Sequence, residues 1–343
     1  MDRKPPLLEV RDLTVSVGLP EGGRAKVVRD VSFSIEAGET LGLVGESGSG
    51  KTMASLAIMG LLPPAARVDS GQILLDGEDL CQMGPRALRT LRGKQMSMVL
   101  QDSLTALDPS FTIGNQLAEP LRQHRAVGGR DLDKALVESL EQVQLSADRL
   151  REYPHRLSGG MRQRATSAIA LAGIPRLLIA DEPTTALDVT TQARFLQMLR
   201  DLQKTTGFAL VLIAHDLMIV RHVCQRVLVM YAGEVVEKGE VEDLFLSARH
   251  PYTRALIESM PVLGEAVRME AIEGQAPDPI DEIAGCRFAP RCKFARDVCR
   301  STPPELSDCA PAGVVRCWGA KPGGWIDASQ QPGRTVASEL GVP

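Results

Sequence analysis

Aromatic side chains are scarce in this sequence, since Phe, Trp and Tyr together make up only 3% of its 343 residues. A hydrophobic core must therefore rest on Leu, Val, Ile and Ala, which belong to the hydrophobic share of 44%. Long apolar runs are also missing, because no stretch approaches the roughly 18 residues of a membrane-spanning helix. The N-terminus lacks the apolar region of a secretory signal. These absences predict a cytosolic protein that reaches a membrane only through a partner.

An excess of positive charge is lacking as well. Lys and Arg number 39 against 43 Asp and Glu, which gives a formal net charge of −4. Such a balance provides no electrostatic argument for binding the phosphate backbone of nucleic acids, so we expect no nucleic-acid partner. The length leaves room for one large domain with an appendage or for two modest domains.

The most informative feature that is present is the segment Gly-Glu-Ser-Gly-Ser-Gly-Lys-Thr, which fits the phosphate-loop pattern G-x-x-x-x-G-K-[ST]. It follows an apolar run, Thr40–Val44, typical of a buried strand, and precedes Met53–Leu61, typical of a helix. Glycines let backbone N–H groups surround an anion at the positive end of a helix dipole. The lysine would reach the β- and γ-phosphates, and the last hydroxyl would bind Mg²⁺. The predicted nucleotide-binding residues are Gly45, Glu46, Ser47, Gly48, Ser49, Gly50, Lys51 and Thr52.

Two acidic residues follow a second apolar run, Leu177–Ala180, which also reads as a buried strand. A strand that ends in two acids beside a phosphate loop suits Mg²⁺-dependent hydrolysis. Asp181 would hold the metal and Glu182 would polarise the attacking water. Taken alone, the pair could equally be a solvated turn, and the phosphate loop upstream favours the catalytic interpretation.

A further predicted anion site lies in Leu157–Met161, where Ser-Gly-Gly opens a helix. The hydroxyl of Ser158 and the free N–H groups of Gly159 and Gly160 point the same way at such a helix start. One chain has one complete nucleotide pocket, so we expect this site to contact the γ-phosphate of a nucleotide held by another subunit. The segment also reads as an ordinary N-capped helix.

The order of elements predicts an α/β fold. Leu7–Val17 and Lys26–Ile35 alternate like antiparallel strands, and strand character alternates with helices after Leu177. Such alternation implies a parallel sheet with covered faces. Helical patterns replace strands from about Ile113 to Gly159. The predicted fold is a P-loop NTPase core with an antiparallel β subdomain, a helical subdomain and a small Cys-rich C-terminal region.

Together these motifs resemble those of ATP-binding subunits of ABC transporters, and the resemblance covers about Leu7–Cys317. Their order and spacing are those of the family. The matching features are the phosphate loop, Gln101, Leu157–Met161, the pair Asp181-Glu182, Ala186-Leu187-Asp188 and His215.

The resemblance implies roles for residues that carry little signal by themselves. Gln101 would link the Mg²⁺ site to membrane subunits, and His215 would contact the γ-phosphate. Ser158 and Gly160 would contact ATP on the opposite subunit, and Asp188 would bridge the two sites. The implied catalytic residues are Glu182, His215 and Gln101, and the implied Mg²⁺ residues are Thr52, Gln101 and Asp181.

Further segments resemble the oligopeptide and dipeptide importer branch of that family. They are the signature with Met161 in place of the commoner Gln, the long loop Gln101–Pro109 and the segment His250–Thr253. One position departs from the family, because the aromatic residue that usually stacks on adenine is replaced here by Val17. Contact with adenine would then be aliphatic packing.

Cysteines crowd the C-terminal part, where five of the seven lie. In a reducing cytosol such a cluster indicates metal more often than disulfides. Four thiolates could bind zinc or an iron–sulfur cluster, and unligated thiols or disulfides are the remaining alternative. The x₅ and x₆ spacings do not fit the C-x₂₋₄-C pairs of zinc frameworks. Cys286, Cys292, Cys299 and Cys317 resemble the [4Fe–4S] motif of peptide-importer ATPases, with Cys309 as an alternative fourth ligand.

The sequence thus predicts the ATP-hydrolysing subunit of a binding-protein-dependent ABC importer for di- or oligopeptides, with ATP, Mg²⁺ and a [4Fe–4S] cluster. The expected partners are a second, different ATPase subunit, two membrane permeases and, indirectly, an extracytoplasmic substrate-binding protein. We expect the chain at the cytoplasmic face of the inner (cell) membrane. The alternatives are an importer of nickel, glutathione or oligosaccharide and, in another class, a soluble ABC-type ATPase of repair or translation.

The expected domain organisation has three parts. Residues 1–246 would form the ATPase domain, with the helical subdomain at about 104–165. Residues 247–320 would form the C-terminal region with the cysteine cluster, and 321–343 a flexible tail.

Overall fold

The computed structural model describes residues 5–185, 187–260, 272–309 and 313–326. They fall into two compact units. The first comprises the described residues of Met1–Val235 and Ala276–Glu282, and the second those of Val236–Gln275 and Ile283–Pro343. The predicted domain boundary after residue 246 stays a prediction, and most of the predicted tail lies outside the described residues.

The first unit contains most of the regular structure. Its strands are β1 (Leu8–Gly18), β2 (Arg24–Ile35), β3 (Thr40–Val44), β4 (Ala66–Leu75), β5 (Glu78–Asp79), β6 (Met96–Val99), β7 (Leu177–Asp181), β8 (Ala209–Ala214) and β9 (Arg226–Tyr231). Its helices are α1 (Lys51–Met59), α2 (Pro85–Leu91), α3 (Ser103–Ala106), α4 (Ile113–Arg125), α5 (Gly129–Gln142), α6 (Gly159–Leu171), α7 (Val189–Thr206) and α8 (Leu217–Val223).

An antiparallel sheet has the strand order β2-β1-β4-β5. The alternation that predicts β1 and β2 is visible in their pairing. Val10 lies opposite Phe33 and Leu8 lies opposite Ile35, and all four side chains are buried. The sequence pattern predicts a short strand at Gln72–Leu75, and β4 begins six residues earlier because its first half pairs with β1 through outward-facing residues such as Arg67. The dipeptide Asp76-Gly77 predicts a hairpin-type turn, and this turn joins β4 to β5, with Leu75 opposite Glu78.

A parallel sheet with the order β9-β3-β8-β7-β6 forms the centre of the first unit. Every residue of β3, β7 and β8 is buried, which explains why these strands are continuous apolar runs. In such sheets ligands bind at the carboxyl ends of the strands. Val44 lies opposite Ala214, and Asp181 lies opposite Ile213. The segments that follow β3, β7 and β8 therefore meet at one edge.

The chain between β6 and β7, described throughout, contains helices and no strand, as the sequence predicts. The amphipathic patterns of Leu117–Arg125 and Leu132–Val143 predict two helices here. Helix α4 begins four residues earlier, at Ile113, because the Thr112 hydroxyl caps it by accepting from the Asn115 N–H. Helix α5 likewise begins earlier than predicted, at Gly129.

The core of the first unit is aliphatic, as the shortage of aromatic residues predicts. One cluster of buried side chains joins β1, β2 and β4 to α1 and the parallel strands, and Phe33 is its single aromatic member in the described chain. Leu13, Ile35 and Ile73 lie among the fully buried members. Burial of this kind contributes about 25 cal/mol per Å² of apolar surface.

In the second unit β10 (Glu234–Glu240), within which the division between units falls, pairs with β12 (Gly313–Val315), and β12 pairs with β11 (Ser307–Cys309). Its helices are α9 (Val241–Ser247), α10 (Pro251–Glu258) and α11 (Asp297–Ser301). The buried Glu237 carboxylate accepts from the Arg249 N–H at 2.7 Å and the His250 N–H at 3.0 Å. Burial raises the pKa of Glu237 despite these bonds.

The expected Cys-rich region organised by a metal is not shown by this structure. None of the seven cysteines, all of which lie in the described ranges, forms a disulfide. In the same ranges no group of three or more His, Cys, Asp or Glu side chains is arranged to hold a metal ion. No helix among the described residues has the length and apolar character needed to cross a membrane.

Candidate functional site

The phosphate loop leaves the carboxyl end of β3 and enters α1, as its sequence pattern predicts. Gly45, Gly48 and Gly50 have φ values of 155°, 79° and 97°, a range that favours glycine. At Gly45 an added Cβ would lie 2.1 Å from the carbonyl oxygen of Met230, and at Gly50 it would lie 2.4 Å from that of Val27. The first and third glycines are therefore required by close backbone contacts as well as by conformation.

The turn between β9 and β10 supports the loop from outside. Its residues, Ala232 and Gly233, both have positive φ, at 47° and 89°. The Gly233 N–H donates to the Ser49 carbonyl oxygen at 3.1 Å, and its own carbonyl accepts from the Arg29 N–H at 2.8 Å. The loop conformation is thus fixed partly by residues far away in sequence.

Lys51 is buried at the centre of the loop, with 4% of its surface exposed. Its ammonium donates to the carbonyl oxygens of Gly45 at 2.8 Å and Glu46 at 2.9 Å, and to the Ser49 hydroxyl at 3.3 Å. Burial lowers the pKa of Lys51, while the nearby acids Glu182, Asp181 and Glu46 act in the opposite direction. The Lys51 ammonium is surrounded by three oxygen acceptors, and a phosphate oxygen could replace one of them as its hydrogen-bond partner.

Asp181 ends β7 as a buried carboxylate, 2% exposed. The Thr52 hydroxyl donates to its Oδ1 at 3.3 Å. Burial raises the pKa of Asp181, and the neighbouring Glu182 adds to this, while Thr52 and Lys51 oppose it. A hydroxyl and a desolvated carboxylate are hard oxygen ligands, so this pair fits a Mg²⁺ ion that also binds substrate phosphates.

Glu182 follows directly and has a positive φ of 43°, which is unusual for a residue with a side chain. Three side chains from separate segments approach its Oε2. Gln101 donates to it through Nε2 at 3.1 Å and Thr185 through its hydroxyl at 3.0 Å, and the His215 Nδ1 lies 3.5 Å away. Among the described residues no hydrogen bond is made to Oε1. The second oxygen is therefore free to accept from a water molecule.

The signature segment lies elsewhere in the first unit. The Ser158 hydroxyl caps α6 by accepting from the Met161 N–H at 3.4 Å. An added Cβ on Gly160 would lie 2.5 Å from Thr191 Cγ2, in the first turn of α7. Asp188 caps that helix, accepting from the Thr191 N–H at 2.9 Å and its hydroxyl at 2.7 Å. These bonds lower the pKa of Asp188.

The structure thus brings part of the predicted site together. Six predicted residues converge at the edge of the parallel sheet, namely Lys51, Thr52, Gln101, Asp181, Glu182 and His215. Ser158, Gly159, Gly160 and Asp188 form a second group at the starts of α6 and α7. Ala186, beside Asp188 in the sequence, lies outside the described residues.

The predicted cysteine ligands are brought together in the second unit. Cys286, Cys292, Cys299 and Cys317 line one pocket, with His250 and mostly apolar side chains as the other lining residues. Cys309 lies instead on β11, where its Sγ would be 3.8 Å from a Cβ on Gly313. Burial raises the pKa of Cys292 to about 11 and also raises that of Cys317.

Comparison with known proteins agrees with this geometry. The family profile described as ABC transporter matches residues 28–185, and that described as oligopeptide/dipeptide transporter, C-terminal region, matches residues 236–299. A relative from Sinorhizobium fredii, described as a probable peptide ABC transporter ATP-binding protein, is 45% identical over 318 residues, which are 91% of this chain and 94% of the relative. The chain belongs to the ATP-binding subunits of ABC transporters.

Two further relatives support this assignment of the ABC ATPase. A Brucella ovis protein that carries the name of a peptide import ATP-binding protein is 44% identical over 327 residues, which are 91% of this chain and 96% of that protein. A solved ATP-binding cassette, a dimer in a post-hydrolysis state with ADP and Pi, superposes with a TM-score of 0.62 at 27% identity. The match covers 68% of this chain and 98% of that structure. The predicted family and the predicted ATPase activity are confirmed.

Sequence reasoning missed Thr185, which lies three residues after Glu182 in this ABC ATPase. A threonine after an acidic pair matches no sequence motif. In the structure Glu182 has a positive φ, and the Thr185 hydroxyl donates to the Glu182 carboxylate. Thr185 is a positioning residue because it contacts Glu182 Oε2 and holds the carboxylate orientation.

We expect Thr185→Val to lower kcat for ATP hydrolysis about tenfold with little change in ATP affinity, since a hydrogen bond to a charged group is worth roughly 1.5–3 kcal/mol. Steady-state phosphate release by the assembled transporter, with ATP binding measured separately, checks this. Thr185→Ser should restore most of the rate, and Thr205→Val, on the exposed face of α7, serves as the matched control. Equal rates for Thr185→Val and wild type would exclude the positioning role.

Proposed function

We propose that this ABC ATPase powers the import of di- or oligopeptides. The observation that carries the proposal is the match of residues 236–299 to the oligopeptide/dipeptide transporter C-terminal region. The nucleotide site says nothing about cargo, because it is shared across the whole family. The names of the Sinorhizobium and Brucella relatives support the same cargo class.

Reconstitution with the permeases and binding protein tests the cargo. We expect ATP hydrolysis in proteoliposomes to rise several-fold when peptides of two to five residues are supplied with the binding protein. Nickel complexes, glutathione and oligosaccharides are the comparison substrates. Stimulation by one of these and none by peptides would reject peptide import while leaving the ATPase assignment intact.

For the nucleotide site we propose the following roles of the individual residues. Backbone N–H groups of Gly45–Gly50 and the Lys51 ammonium would bind the phosphates. Thr52, Asp181 and Gln101 would hold Mg²⁺, which would neutralise phosphate charge. Glu182 orients the attacking water through its free oxygen, and His215 contacts the γ-phosphate. The convergence of these side chains at one sheet edge supports these roles.

The group formed by Ser158, Gly159, Gly160 and Asp188 would act on a nucleotide bound to another subunit. Support comes from its location, because the described hydrogen bonds of Ser158 and Asp188 stay within their own helix starts.

We further propose a different ATPase chain as that subunit, two permeases as membrane partners, an extracytoplasmic binding protein as an indirect partner, and a position at the cytoplasmic face of the inner membrane. The proposed domains remain residues 1–246, 247–320 and 321–343.

The hetero-pair is tested by leaving out the second ATPase. We expect this chain, reconstituted with permeases and binding protein alone, to show little cargo-stimulated hydrolysis, and the complete set to show full activity. Full stimulated activity without a second ATPase would establish a homodimer instead.

For the cysteine pocket we propose a [4Fe–4S] cluster held by Cys286, Cys292, Cys299 and Cys317. Four thiols on one pocket match the ligand chemistry of a cluster. The x₅ and x₆ spacings of these cysteines do not fit the C-x₂₋₄-C pairs of zinc frameworks. Cys309 is not among the pocket's lining residues, which supports Cys317 as the fourth ligand.

Protein purified without oxygen should be brown and contain about four iron and four sulfide per chain. Cys292→Ser should remove the colour, because it deletes one ligand, while MgATP binding stays nearly unchanged. Cys81→Ser, at an exposed thiol of the first unit, is the matched control. One zinc and no sulfide per chain would overturn the cluster but not the ATPase.

A further inference from the structure

His250 is the least expected residue in the cysteine pocket. It precedes α10 and is 1% exposed. Its Nδ1 accepts a hydrogen bond from the Tyr252 N–H at 3.1 Å, so it cannot carry the ring proton. A ring whose Nδ1 accepts carries its proton on Nε2.

The Nε2–H group has no assigned acceptor. Among the described residues, the bond from Tyr252 is the one hydrogen bond in which this ring takes part. The ring packs against Phe288, with centroids 5.7 Å apart, and lines the pocket together with the four cysteines. Because the residue is buried and the ring lines the pocket, an acceptor inside the pocket would supply this N–H group with a partner.

Among the lining side chains, the cysteine sulfurs are the acceptors that remain. Most of the remaining lining side chains are apolar, such as Phe288, Phe294 and Ile326. The two tryptophans direct their indole N–H groups elsewhere, Trp318 to the Thr302 carbonyl at 2.9 Å and Trp325 to the Phe294 carbonyl at 3.0 Å. His250 is therefore the lining side chain with an uncommitted N–H, and the cysteine sulfurs are the acceptor atoms of the lining side chains.

We propose that the Nε2–H of His250 donates a hydrogen bond to a sulfur of the iron–sulfur group held by the four cysteines. The inference rests on the proposed cluster and adds a fifth side chain to its environment. A donor aimed at sulfur stabilises the more negative, reduced state and so raises the reduction potential. His250 is a positioning and tuning residue here, and not a ligand.

A purely structural role for His250 must be separated from this one, since its Nδ1 also caps α10. Asparagine distinguishes the two. Its side-chain oxygen is a strong N-cap acceptor for the N–H two residues on, so His250→Asn keeps the cap. It has no donor at the position of Nε2. The variant therefore keeps the cap and removes the proposed interaction with sulfur together with the ring's packing against Phe288.

The test uses the full chain purified anaerobically as wild type, His250→Asn and the control His222→Asn, an exposed histidine in the first unit. Iron and sulfide content measure loading, and intrinsic fluorescence reports it independently, because both tryptophans of the chain line this pocket. The potential is measured by spectroelectrochemical titration. None of these readouts depends on ATPase activity.

We expect equal loading in all three proteins and a reduction equilibrium constant about tenfold less favourable in His250→Asn, a shift of about 59 mV for a one-electron couple. Loaded proteins with equal potentials would overturn the role of His250 and leave the cluster standing. Wild type without iron and sulfide would overturn the cluster itself, and this inference with it. Loss of iron from His250→Asn alone, with unchanged secondary structure, would make the histidine a ligand and also contradict the proposal.

Discussion

Replacing Glu182 with glutamine is expected to reduce ATP turnover about a hundredfold or more while ATP still binds, since a positioned general base contributes roughly 10²–10⁴-fold. The amide keeps an oxygen that can accept from Gln101 and Thr185, which lie 3.1 and 3.0 Å from Oε2. It loses the negative charge that polarises water at the other oxygen. Asp181 and Thr52, the proposed Mg²⁺ ligands, are unchanged in this variant.

Phosphate release by the assembled transporter and equilibrium binding of nucleotide together measure this effect. Glu138→Gln, an exposed carboxylate on α5 whose partner is Lys134 at 3.7 Å, is the matched control and should keep wild-type turnover. A Glu182→Gln complex that hydrolyses ATP at close to the wild-type rate would show that another group activates the water.

Lys51→Ala is expected to act on binding instead of turnover. The ammonium is buried and already held toward the loop carbonyls, so its charge needs little rearrangement to meet a phosphate. A charge-assisted hydrogen bond is worth roughly 1.5–3 kcal/mol, which corresponds to about 10- to 100-fold weaker ATP binding. Titration with a fluorescent ATP analogue measures the affinity.

Two further variants make the result interpretable. Lys51→Met keeps the length of the side chain and should bind ATP as poorly as Lys51→Ala, because charge and not volume is lost. Lys134→Ala removes a lysine whose side chain is 78% exposed and should bind normally. Wild-type affinity in Lys51→Met would contradict a phosphate contact by Lys51.

Local sequence signals were sufficient to predict a site where its motif lies between secondary-structure elements that are consecutive in the chain. The phosphate loop is an example, since β3, the loop and α1 are consecutive in the chain and the glycines define the turn. Asp181 and Glu182 were predictable for the same reason, because the acids directly follow a buried strand. The approach of Gln101, 81 residues earlier, to Glu182 is set by the neighbouring positions of β6 and β7. Only family resemblance could indicate it.

Where prediction fell short, tertiary pairing outweighed local pattern. The first half of β4 exposes Arg67 and Asp69, so its sequence reads as polar, yet its backbone completes a ladder with β1. The strands β11 and β12 have three residues each and exist through pairing with β10. Thr185 depends on the backbone conformation of Glu182, which composition and periodicity do not encode.

The phosphate-loop motif is eight residues long, but its conformation depends on residues outside the motif. The carbonyls of Val27 and Met230 leave no room for a methyl group at Gly50 and Gly45, and Gly233 donates to the loop from a distant turn. Grafting only the octapeptide onto another sheet would transfer the motif without the backbone contacts that hold its conformation. The structural unit therefore comprises the octapeptide, parts of β2 and β9, and the turn after β9, which lie some two hundred residues apart in the chain.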